Sequence, residues 1–367
     1  MDIASYRLHE RLASASLPTW RIKALQNPIV FQAGGFPVRI ESTDELVALL
    51  DTMQENRFGQ YIKELGGLDE EDLAVLVDAL VEYCKFFRTN FSGRDAPLPL
   101  STMVAHLAIA KKLRALGRPH RILEIGPGCG YLSFFLKGWS DLEDYTQVET
   151  TESFYVLQNL VNKHVFGHRF RDHAQTDLEG RAALPITAQI GIPDTEISPR
   201  IPLDMRGVCR HFPWWQLGRV ATERFSVVTT NATLTEFSEG ALRQYVWLID
   251  QCLAPDGCLV VQCCGGGSGS LETILQLLFS IRLAPVALVL QENVTIGDKY
   301  LAKTNLLFVR ERHPLFAKYA KPKLTLPLFD PNDLLVRAVY GIGGGGSRRE
   351  VTADELVTRV TERLARV

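Results

Sequence analysis

Through residues 1–95, apolar positions recur every three or four residues, the spacing of an amphipathic helix. "DELVALLDTMQENRFGQYIKELG" and "DEEDLAVLVDALVEYCKFFRTNF" both show it, and both open on acidic residues suited to a helix N-terminus. "SGRDAPLPL" at 92–100 breaks the pattern with Gly and Pro and marks a boundary. "STMVAHLAIAKKLRALG" restores it and predicts a helix capped by Ser101 or Thr102 and stopped by Gly117. From Arg121 the pattern changes. "RILEIG", "YTQVET", "GVCRHF", "FSVVTT" and "GCLVVQCC" read as short strands, with "YLSFFLKG", "ESFYVLQNLVNKHVFG" and "SEGALRQYVWLIDQCL" as helices among them. Such alternation predicts an α/β fold, a doubly wound parallel sheet with helices on both faces.

The end of that region refines the topology. "LETILQLLFSIRL" reads as a helix, "PVALVL" as a sixth strand and "TNLLFVRER" as a seventh. The stretch joining the last two strands, "QENVTIGDKYLAKT", has no helical period, and a parallel crossover would need a helix. The seventh strand is therefore predicted to return antiparallel, giving a seven-stranded, mostly parallel sheet. Three segments follow: a helical N-terminal cap over 1–95, for substrate or dimerisation; the sheet domain over 96–311, with a polar, Pro-rich insertion at 169–206; and a partly helical extension over 312–367. In the extension, "DPNDLLVRAVYG" and "TADELVTRVTERLARV" read as helices, the second with Thr352 or Asp354 as N-cap. "GIGGGGSRRE" and "GGGSGS" at 265–270 have the composition of flexible linkers. The extension is expected to pack on the core or on a second copy of the chain, the latter making a homodimer.

Composition narrows the partners. The 367 residues carry a formal net charge of −2, too little for a field that gathers nucleic acid or an anionic membrane. No apolar run is long enough to span a bilayer, and the charged opening is not a signal peptide, so a cytoplasmic protein is expected. The seven cysteines are scattered without a C-x-x-C, as free thiols in a reducing compartment would be. His164 and His168 are spaced to share a helix face, but no third ligand fits beside them, and no metal is predicted.

"RILEIGPGCGYLSFFL" carries the chemistry. Three glycines follow a strand, yet they read G-x-G-x-G, and Tyr131 stands where G-x-G-x-x-G needs its last glycine. A glycine turn lets a ligand lie against backbone, and the closer spacing with a bulky Tyr131 argues against a diphosphate. Glu124 at the strand end is placed to meet a cationic group, directly or through water. Glu149, at the end of the second strand, is placed to accept hydrogen bonds from both hydroxyls of a ribose. An amine and a ribose without a diphosphate describe S-adenosylmethionine.

At this point a resemblance appears. "LEIGPGCG" resembles motif I of the Rossmann-like class I methyltransferases, and "VET" stands where their acidic second motif lies. The resemblance spans about residues 100–311, and an antiparallel seventh strand belongs to that fold. It implies that Glu124, Gly126, Gly128 and Gly130 surround the methionine part of S-adenosylmethionine and Glu149 its ribose, with S-adenosylhomocysteine as product. "HFPWWQL" and "FSVVTTNATLTEF" more narrowly resemble a bacterial group of sugar O-methyltransferases in motif style and chain layout.

The remaining candidates follow from position. Trp214 or Trp215, after the third strand, would stack on the adenine, or else both pack between the sheet and the insertion. Asn231, after the fourth strand, would bond the acceptor or the methionine amine, or else serve a turn. Glu236 is the best-placed carboxylate to take the acceptor's proton, with His211 the first histidine candidate and His173 and His168 behind it. Arg88 and Arg94, in "FFRTNFSGR", would greet an anionic acceptor. The N-P-P-aromatic motif of DNA-base methyltransferases is absent after the fourth strand, which disfavours a nucleic-acid substrate. The sequence therefore predicts methyl transfer to a hydroxyl of a sugar or secondary metabolite. Its rivals are an N-methyltransferase, an NAD-dependent oxidoreductase and a non-catalytic S-adenosylmethionine-binding protein.

Overall fold

A computed structural model describes residues 3–15, 37–53, 56–117, 119–174, 208–264, 271–290, 294–296, 299–301, 303–319 and 348–366. The helices are α1 Ile3–Ala15, α2 Thr43–Thr52, α3 Phe58–Glu64, α4 Glu70–Asn90, α5 Leu100–Ala115, α6 Leu132–Leu136, α7 Glu152–Phe166, α8 Leu217–Val220, α9 Glu239–Cys252, α10 Leu271–Ser280, α11 Pro314–Tyr319 and α12 Ala353–Leu364. The strands are β1 Arg121–Ile125, β2 Asp144–Glu149, β3 Phe170–Asp172, β4 Cys209–Pro213, β5 Phe225–Asn231, β6 Leu253–Cys264, β7 Ala284–Leu290, β8 Val294–Ile296, β9 Lys299–Leu301 and β10 Lys303–Val309.

The main sheet runs β3-β4-β2-β1-β5-β6-β10-β7. Every neighbouring pair from β3 to β6 is parallel, and β10 is antiparallel to both β6 and β7. The expected reversal of the last long strand is present, and the described residues between β7 and β10 form the short antiparallel pair β8–β9. The strand count differs from seven. Phe170–Asp172, assigned by sequence to the irregular insertion, adds to the free edge of β4, with Phe170 opposite Cys209. Three residues without an apolar run leave no strand signal, and edge pairing supplies the structure instead.

Alternate side chains of the strands enter two apolar clusters. Ile122, Tyr145, Cys209 and Val227 pack toward α4, α5, α6 and α7; Leu123, Val148, Phe212 and Val228 pack toward α9 and α10. α4 is not in a separate layer, since its Leu76, Leu80, Tyr83 and Phe87 share the first cluster with Leu132 and Phe135 of α6. Leu356 and Val360 of α12 join it too, so the end of the extension folds back on α4. Arg349 pairs with Leu68 through backbone and with Glu70 through its guanidinium. Thr352 caps α12, accepting from Glu355 N at 3.2 Å. Neither Ser101 nor Thr102 caps α5, which begins after Pro99. Ser101 Oγ accepts from Arg57 N, and Thr102 Oγ1 donates to the Met53 carbonyl, so both hydroxyls tie α5 to neighbouring chain.

No helix among the described residues is long and apolar enough to cross a membrane. The helix expected at "DPNDLLVRAVYG", the "GGGSGS" stretch, residues 341–347 of "GIGGGGSRRE" and most of the 169–206 insertion lie outside the described residues.

Candidate functional site

Beyond β1 the chain turns through Gly126, Gly128 and Gly130, all at positive φ (65°, 58° and 75°), where L side chains are strained. Their surroundings differ. A Cβ on Gly126 would lie 2.2 Å from Thr233 Oγ1, and one on Gly130 would lie 3.3 Å from Gln158 Cγ. One on Gly128 would meet only Met53 Cε, at 3.7 Å. Two of the three glycines thus make room for the protein's own side chains, and Gly128 is the one that leaves backbone open to a ligand. Gly126 N donates to the Val148 carbonyl at 3.0 Å, which fastens the turn to β2. Tyr131 is wholly buried, edge-on to Tyr83 and His106. It anchors α4 and α5 to the turn and closes the space a third glycine would open. Burial pushes the Cys129 thiol up to about 12, so no thiolate stands in the turn.

Three carboxylates surround this turn. Glu149, almost completely buried, accepts from Thr150 N (2.7 Å) and Thr151 N (2.9 Å) at Oε1 and from Gln158 Nε2 (2.8 Å) at Oε2. Burial raises its pKa, and these three donors oppose the rise. Glu124 is sealed beneath the turn, 1% exposed, accepting from the Tyr145 hydroxyl and from Gln147 Nε2 at 3.3 Å. Gln147 in turn accepts from Asn162 Nδ2, and Asn162 accepts from Ser133 Oγ, so the network runs into α7 and α6. Burial pushes Glu124 up to about 7. Direct contact of Glu124 with a ligand cation is therefore not what this geometry offers. Glu236 lies past β5, reached by solvent yet crowded by protein. The crowding pushes it up to about 7, and the charge of nearby Glu149 raises it further.

The loop after β5 meets the glycine turn. Asn231 is half-buried at the strand end, opposite Gln262 of β6. Ala232 adopts a left-handed conformation (φ 61°), held by its N–H donating to the Gln262 carbonyl. A non-glycine residue there stores strain, and such strain gathers at functional sites. Thr233 Oγ1 sits 3.0 Å from the carbonyls of both Gly126 and Asn231. After β1 the chain goes to α6 on one face of the sheet, whereas after β5 it goes to α9 on the other. That divergence is the topological switch point, outside the carboxyl ends of the strands, where open α/β sheets bind ligands.

Other sequence candidates fall elsewhere. His211 lies within β4, fully buried, its ring stacked on Tyr155 at 3.9 Å, and burial holds its pKa well below the usual range. It is a neutral core residue and cannot reach a substrate. Its alternation in β4 points it at α7, which the apolar-run reading of "GVCRHF" did not resolve. His173 stacks on Phe212 at 4.2 Å, lowered to about 4 by burial and then by Arg210. Trp214 and Trp215 are buried in a cluster with Tyr6 of α1 and Tyr155, so they pack under α1 and present no open face for adenine. Arg88 is exposed in the last turn of α4, and Arg94 pairs with exposed Asp44. Neither is brought to the turn. His164 bonds Glu82, which also pairs with Lys137, while His168 is exposed. No group of three metal-ligating side chains occurs among the described residues.

Gln158 and Met53 carried no sequence motif, and Thr233 lies in "FSVVTTNATLTEF" without having been singled out; the roles of all three emerge only from the packing around the glycines. Arg7 and Arg39 likewise converge on Glu152, at the start of α7, and fasten the N-terminal segment beside Glu149.

No family model and no curated protein matches the sequence. Among solved structures, the chain is similar to the N-methyltransferase NodS from Bradyrhizobium japonicum in complex with S-adenosyl-L-homocysteine: 14% identity, 63% of this chain and 99% of that one, TM-score 0.37. It is also similar to a TehB-like SAM-dependent methyltransferase from Corynebacterium glutamicum: 12% identity, 56% of this chain and 88% of that one, TM-score 0.34. An O-methyltransferase family protein from Burkholderia thailandensis is similar at 14% identity over 55% of this chain and 54% of that one, TM-score 0.34.

Proposed function

We propose that this protein is an S-adenosylmethionine-dependent methyltransferase whose acceptor is a hydroxyl of a small molecule. What carries the reading is the junction at the switch point, where a glycine turn with one open backbone position meets the post-β5 loop, with Glu149 and Glu236 close enough to sense each other's charge. The residues fit the cofactor. Gly128 allows close approach, Glu149 keeps acceptor capacity for a ribose hydroxyl, and Tyr131 fills the place a diphosphate-binding turn leaves open. S-adenosylmethionine supplies an electrophilic methyl group on a sulfonium.

The chain's own residues then do two things. The turn and the post-β5 loop, bonded through Thr233, hold donor and acceptor sides at a fixed separation, and such positioning is the larger part of an in-line displacement. Glu236, raised toward neutrality, takes the proton of the acceptor hydroxyl, and Asn231 orients that hydroxyl. Glu124 and its network hold β1 and β2 in register below the turn.

The test is incubation with methyl-labelled S-adenosylmethionine and a panel of sugars, phenols and amines across neutral pH. Hydroxyl acceptors should gain a methyl at a rate rising with pH through about 7, as Glu236 becomes the ionised base. Glu236→Gln should abolish that rise and lower the rate by roughly 10²–10⁴-fold. Transfer only to amines, with an unchanged profile in the variant, would replace the hydroxyl reading. No transfer to any acceptor would remove the enzymatic one.

A further inference from the structure

The immediate surroundings of Glu149 set a count. An ionised carboxylate offers about four acceptor positions. Thr150 N and Thr151 N take both at Oε1, and Gln158 Nε2 takes one at Oε2. One position remains. The Gln158 carboxamide cannot surrender its place by turning over. Its two N–H groups go to Glu149 Oε2 and to the Gly128 carbonyl at 2.6 Å, both acceptors, so a flipped amide would set its oxygen against two oxygens. Gln158 is wholly buried on α7, and its Cγ lies against Gly130, where a Cβ would approach to 3.3 Å. The side chain is therefore held by the turn it bonds.

We propose that Gln158 is the specificity-determining residue of the nucleoside subsite: by occupying Glu149 Oε2 and the Gly128 carbonyl together, it leaves the carboxylate able to accept one ribose hydroxyl and not two. The inference rests on the S-adenosylmethionine reading, and it corrects the sequence expectation that Glu149 bonds both hydroxyls. It also makes Gln158 the link between the turn and the carboxylate. The nucleoside site is then set before ligand arrives.

Binding of S-adenosylhomocysteine and of its 2′-deoxy and 3′-deoxy analogues, measured by calorimetry on the wild-type protein, tests the count. One analogue should bind about tenfold or more weakly and the other within about twofold of the parent, since one charged hydrogen bond is lost in one case only. Gln158→Leu, near-isosteric and without donors, should bring the two analogues to within about twofold of each other, because Oε2 is then free for a second hydroxyl and each analogue loses one bond. Equal loss for both analogues, or for neither, overturns the proposal while leaving the cofactor reading intact. A Gln158→Leu protein that stays folded by circular dichroism and keeps wild-type discrimination overturns it as well. Failure of the parent compound to bind wild type is a different result: it removes the cofactor reading and this inference with it.

Discussion

Gly126 is bare because Thr233 stands where its side chain would go. Gly130 is bare because Gln158 packs against it, and Gly128 alone would meet nothing nearer than an ordinary contact with Met53 Cε. A glycine motif read from sequence thus mixes two causes, close approach of ligand and close approach of protein, and the letters cannot separate them. Glu124 makes a similar point. Its place before the turn was legible, but its burial under Tyr145 and Gln147 was not, since both partners come from the next strand. That burial has a measurable sign. The carboxyl titrates near 4.5 in an ordinary setting and is pushed up to about 7 in the fold. Between those values the unfolded chain releases a proton that the folded protein keeps, so stability falls as pH rises through the window and is unpenalised below it. Glu124→Gln removes this dependence. Denaturant unfolding at mildly acidic and mildly alkaline pH should show the variant gaining on wild type by of order 3 kcal/mol at the alkaline end. Parallel pH profiles would mean that Glu124 is not held as described.

At the scale of elements, pattern served best where elements are long. The 3.6-residue period of α4, α5 and α7, and the missing helical period between β7 and β10, predicted those helices and the strand direction correctly. Pattern failed where an element exists only by contact. β3 is three residues held at the edge of β4. By contrast α6, read as a helix from "YLSFFLKG", is present over five residues, closed in by Tyr131 and α4. The packing of α12 on α4 was open from sequence between the core and a second copy of the chain, and the fold places Leu356, with no exposed surface, in the first cluster. Leu356→Ala should therefore cost about 2–5 kcal/mol in chemical denaturation, as a buried leucine does. A loss below about 0.5 kcal/mol, the range of surface changes, would show that α12 does not dock there.

For the whole molecule, the sheet order puts two loops from opposite crossovers side by side at the switch point. The positions of Glu149, Asn231 and Glu236 at the carboxyl end of the sheet were legible because each ends or follows a recognisable strand. His211 lies within β4 and is covered by Tyr155 of α7, while Trp214 and Trp215, left open between adenine stacking and packing, pack under α1, far away in sequence. A one-dimensional reading knows which residues reach the carboxyl end of the sheet but not which of them another segment buries. The central claim is that this end holds S-adenosylmethionine, with Glu149 bonding its ribose. Calorimetric titration of S-adenosylhomocysteine into wild type and Glu149→Ala tests it most directly, with folding checked by circular dichroism and NADH as control. The account predicts saturable binding to wild type, none of NADH, and a Kd raised roughly 10–100-fold in the variant, the loss of about 1–3 kcal/mol expected for a charged hydrogen bond. Absent binding to wild type, or equal affinity in a folded Glu149→Ala protein, would contradict it.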